Sequence, residues 1–91
     1  IFLESMADGG VACGLPRASA IQYAAQMMLG TAKMVLETNQ HPGVLKDSVC
    51  SPAGSTIQGV QTLEERGMRA AVLDAVTVAY EKNVELKKAS D

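Results

Sequence analysis

Residues 16–38 read PRASAIQYAAQMMLGTAKMVLET, and this stretch decides the fold class. Its apolar residues Ile21, Ala25, Met28, Ala32 and Val35 recur at spacings of three and four, with Leu36 beside the last. That is the period of one face of an α-helix. Pro16 suits a first helical position, where its missing N–H would have had no partner anyway. Gly30 lies inside the pattern, and its preferred reading is close packing against another helix. The spacing predicts a helix ending at about Thr38.

Reading outward, the same period returns and no alternating strand pattern appears. Phe2, Leu3, Met6, Ala7 and Val11 fall on one helical face over residues 1–13, weakened by Gly9-Gly10 and ended by Gly14-Leu15-Pro16. Asn39 to Gly43 reads as a turn, with His41 a helix-start or turn residue. Pro42 then opens a short helix whose apolar side is Val44, Leu45 and Val49. Ile57, Val60 and Leu63 predict an inward face on a further helix that Gly67 closes. The last helix runs from about Met68 into Lys87-Lys88, with Met68, Ala71, Val72, Ala75, Val76 and Ala79 as its apolar side and its final residues fraying. The expectation is all-α: four long or medium helices and a short one, forming one domain over residues 1–91, without repeats.

Composition adds a partner to this picture. Of 91 residues, 47% are hydrophobic but only 3% aromatic, so Ala, Val, Leu and Met carry the apolar load. A domain this small hides only roughly 60–65% of the surface its unfolded chain exposes. Small apolar side chains let helices approach closely but bury little area each. Apolar surface is left over, and a second copy of the chain is the simplest cover for it. A net charge of −2 with no basic block argues against nucleic acid or an anionic membrane as partner. No apolar run approaches the roughly 20 residues of a spanning helix. The start, Ile1-Phe2-Leu3-Glu4, lacks the basic leader of a signal peptide and opens inside an apolar run, as expected of a piece cut from a longer protein. Cys13, Cys50 and the lone His41 give no metal-ligating set, and the expectation for the cysteines is two buried thiols in a reducing compartment.

The chemistry gathers in Ser51-Pro52-Ala53-Gly54-Ser55-Thr56, where three hydroxyls crowd a turn that feeds a helix. The first N–H groups of a helix have no internal partners and carry the positive end of its dipole. With hydroxyls beside them they make a compact receptor for a carboxylate or phosphate. The commoner role for such hydroxyls is capping, and turn chemistry accounts for Ser-Pro and Gly.

The run from His41 to Gly59, HPGVLKDSVCSPAGSTIQG, resembles the signature stretch of pyrroline-5-carboxylate reductases, roughly H-P-x-x-L-[KR]-D-x-V-x-[ST]-P-x-G-x-T-I-x-G. The likeness continues through Leu63-Glu64, Gly67-Met68-Arg69-Ala70-Ala71 and Ala75-Val76. Upstream it includes Ala7-Asp8-Gly9-Gly10-Val11, Gly14-Leu15-Pro16 and Leu29-Gly30-Thr31-Ala32-Lys33, so it covers essentially the whole chain. Two positions depart from the pattern: the family commonly has Gly where Ala53 stands and Thr or Ala where Ser55 stands. A Gly in place of Ala53 would serve a positive φ, which Ala disfavours.

The resemblance implies the C-terminal domain of a reductase that converts 1-pyrroline-5-carboxylate to L-proline, the last step of proline biosynthesis, with NADPH or NADH. It implies a Rossmann nucleotide-binding domain that these residues do not contain, so no cofactor-binding or metal-binding residue is assigned and the chain alone is expected to be inactive. It implies helical domains interlocked as a homodimer, with further assembly left open, in the cytoplasm or alternatively in mitochondria. Carried over by position, the Ser51 hydroxyl and the N–H groups of Ser55 and Thr56 hold the substrate carboxylate. The Thr56 hydroxyl, the catalytic assignment, hydrogen-bonds the ring nitrogen. The alternative is a non-catalytic dimerisation module in which residues 51–56 only cap a helix. A third reading, a hydroxy-acid dehydrogenase, would need an active-site lysine, and Lys33 and Lys46 are expected on solvated faces.

Overall fold

The computed structural model describes residues 1–90 and is all-helical, with no strand among the described residues. Its helices are α1 (Phe2–Ala12), α2 (Arg17–Thr38), α3 (Pro42–Val49), α4 (Ser55–Glu65) and α5 (Met68–Ser90). They group into two compact units, Ile1–Lys46 and the residues from Asp47 onward.

In the first unit, α1 packs on α2 through small residues. Ala7 is 1% exposed, and Ala20 and Ala24 are also buried. Gly10 lets the helices approach: a Cβ there would stand 3.3 Å from both Ala20 Cβ and Leu15 Cδ1. An ion pair from Arg17 to Asp8 joins the two helices at their edge. The stripe of larger apolar residues read from the sequence is therefore not the side that meets α1. Ile21, Met28 and Leu36 stay exposed, because a close crossing selects alanine and glycine and leaves bulkier neighbours outside. A Cβ at Gly30 would meet nothing else in this chain.

Helix ends follow local chemistry, with small shifts from expectation. Pro16 precedes the first helical residue rather than being it. Its ψ of 144° is extended, and its carbonyl already accepts the Ala20 N–H at 2.9 Å. Asn39 ends α2 in the left-handed region at φ 55°. Pro42 opens α3 as predicted. Ahead of it, His41 Nδ1 accepts the Gly43 N–H at 2.9 Å, which makes His41 a helix-start residue in fact.

In the second unit α4 packs on α5 across a turn at Gly67, whose φ of 74° is the left-handed closure the sequence predicts. Arg69 on α5 donates to Glu64 on α4 and ties the turn together. That hydrogen bond, reinforced by the carboxylate's charge, raises the guanidinium's pKa above its ordinary value. Ile57 and Val60 are half-buried as expected, but Leu63 is exposed. Of the predicted apolar side of α5, Met68 is half-buried while Ala71, Val72, Ala75, Val76 and Ala79 are exposed, and Leu73 and Val78 beside it are exposed too. This helix runs to Ser90, and the last residue, Asp91, lies outside the described residues.

Candidate functional site at the start of helix α4

Everything that positions this site lies between Cys50 and Gln58, inside the second unit. Residues 51–54 form a tight turn in which the Gly54 N–H donates to the Ser51 carbonyl at 3.1 Å. Pro52 occupies the second position, where its fixed φ suits the turn, and Ala53 occupies the third with φ 58°. A positive φ at that third position is the mark of a type II turn and ordinarily calls for glycine. Alanine held there costs about 1–2 kcal/mol of local strain. The conformation inferred from the family pattern is thus present, although the residue that would relax it is not.

Gly54 then caps α4, with extended φ −76° and ψ 172°. No side chain makes a capping hydrogen bond at this end. The first helical bond is the Gln58 N–H to the Gly54 carbonyl at 3.4 Å. The N–H groups of Ser55, Thr56 and Ile57 therefore have no acceptor within the helix and point out of its positive end. Of the two roles open for the hydroxyls, side-chain capping of α4 is not made. Ser51, Ser55 and Thr56 are all exposed, and none of them satisfies the helix start. The capping role fails here because the cap position itself is a glycine.

Ser51 is nevertheless drawn to the helix end. A Cβ built on Gly54 would run into the Ser51 hydroxyl, so that hydroxyl lies over the first residue before α4. The structure thus brings together a serine hydroxyl, two further hydroxyls on the first helical residues and the open amides of Ser55 and Thr56. A carboxylate has two oxygens and no donors, and such an array offers it several donors and a favourable dipole at once.

One contributor escaped the sequence reading. The Gln58 side-chain amide donates to the Ala53 carbonyl at 3.2 Å, reaching back from the first turn of α4 to the strained residue. The signal for it was the glutamine four residues past the glycine cap, but nothing in the sequence says that its amide turns back rather than outward.

The other sequence candidates fall away from this place. His41 is engaged at the start of α3. Lys33 is exposed and pairs with Glu37 at 3.8 Å, the solvated position expected of it, whereas Lys46 is half-buried. The cysteines depart from expectation: Cys13 is exposed and Cys50 half-buried, because Cys13 sits just past the last turn of α1 and Cys50 just past α3. Among the described residues no His, Cys, Asp and Glu side chains gather in threes that would hold a metal ion. Among the described residues no helix is long and apolar enough to cross a membrane. The residues present do not fit a dinucleotide either. That group is cradled by a glycine-rich turn between a strand and a helix, and the described residues contain no strand.

Comparison with known proteins agrees with the all-helical fold. The sequence model of a family described as pyrroline-5-carboxylate reductase dimerisation matches residues 1–86. The chain is 57% identical over 88 residues to the pyrroline-5-carboxylate reductase of Escherichia coli K12, covering 97% of this chain and 33% of that protein. It is 58% identical over 86 residues to that of Methanosarcina acetivorans, covering 94% of this chain and 32% of the relative. Among solved structures it resembles the Plasmodium falciparum pyrroline carboxylate reductase with NADP bound. There the TM-score is 0.85 and the identity 37%, over 89% of this chain and 31% of that one. The chain therefore spans about a third of the length of the curated relatives it matches. This all-helical chain, matched over residues 1–86 by that family's model, belongs to the pyrroline-5-carboxylate reductase dimerisation family.

Proposed function

We propose that this chain is the dimerisation and substrate-binding part of an enzyme that reduces 1-pyrroline-5-carboxylate to L-proline with NADPH or NADH. The observation that carries the reading is the start of α4, where a glycine cap leaves the Ser55 and Thr56 amides open beside three hydroxyls that do no capping. The support from outside is that relatives matched over nearly the whole chain carry the reductase name.

In this reading the substrate carboxylate sits on the Ser55 and Thr56 N–H groups and accepts a further hydrogen bond from the Ser51 hydroxyl. Anchoring the carboxylate fixes the adjoining five-membered ring, and positioning of that kind is most of what the protein has to provide. The Thr56 hydroxyl oxygen accepts a hydrogen bond from the protonated ring nitrogen, which steadies the polarised C=N bond. The nicotinamide nucleotide supplies the hydride, and its binding residues belong to a nucleotide-binding domain outside this chain. The partner is a second copy, covering the apolar side of α5; nucleic acid and membrane are not partners in this reading. The compartment proposed is the cytoplasm, where Cys13 and Cys50 stay reduced, with mitochondria as the alternative.

Ligand binding tests this directly. A five-membered cyclic amino acid such as proline should raise the melting temperature of the full-length protein, and its decarboxylated analogue pyrrolidine should not. Equal protection by both, or by neither, would remove the carboxylate site.

A further inference from the structure

We draw no further inference here: the strongest candidate, the apolar groove at the start of α5 lined by Met68, Val72 and Leu73 beside Arg69, carries nothing beyond the account above, because a second copy seated there restates the dimerisation by which the family is described and nothing in the structure shows any other occupant.

Discussion

At the scale of single residues, the proposed chemistry rests on Thr56, which presents both a backbone amide and a hydroxyl at the second position of α4. Thr56→Ala keeps the amide and removes the hydroxyl. In the full-length enzyme this should lower kcat/KM by roughly tenfold to a hundredfold, the equivalent of about 1–3 kcal/mol for one contact to a polar or charged atom. Steady-state kinetics check it, and an unchanged kcat/KM removes the hydroxyl from the reaction. The sequence marks where the proposed site lies. Hydroxyls around a Pro-x-Gly turn before a helix allow either capping or anion binding, and only the resemblance proposes Ser51, Ser55 and Thr56 as substrate contacts. Two things were not legible. Whether the hydroxyls cap the helix depends on which residue takes the cap position, and only the geometry puts Gly54 there. The Gln58 bond to Ala53 joins two side-chain and backbone choices that no spacing rule encodes.

At the scale of elements, the Gly9-Gly10 pair in α1 shows how one dipeptide can hold two opposite roles. Gly9 faces open space, so Gly9→Ala should stabilise the chain by about 0.5–1 kcal/mol through helix propensity alone. Gly10 faces Ala20 and Leu15 at the crossing with α2, and Gly10→Val should destabilise it by about 1–3 kcal/mol through overpacking. Urea denaturation of the two variants would show shifts of opposite sign; shifts of the same sign would mean that the crossing is not as close as described. The sequence gives the helices and their order, because the 3.6-residue period is strong in each and glycine, asparagine and proline mark the breaks. It does not say which side of α2 meets α1. The apolar stripe through Ile21 and Met28 is not that side, because a glycine-lined crossing takes Ala20 and Ala24.

At the scale of the whole molecule, the number that matters is how much apolar side chain one copy leaves in water. Val72, Leu73, Val76 and Val78 on α5 are all at least half exposed. Full burial of such a side chain is worth about 1.5–3 kcal/mol, so covering the exposed part of these four gains several kcal/mol per copy. That is large beside the net stability of a small domain, about 5–15 kcal/mol at most. A second copy supplies the cover most simply, and the proposed homodimer should be seen by light scattering at micromolar concentration. A monomeric mass under those conditions would contradict it.

The measurement that bears most directly on the account is a crystal structure of the full-length enzyme with proline bound. The account predicts the proline carboxylate within hydrogen-bonding distance of the Ser55 and Thr56 N–H groups, with the Ser51 hydroxyl on one of its oxygens. Proline held elsewhere, with the amides at the head of α4 left to solvent, would contradict it.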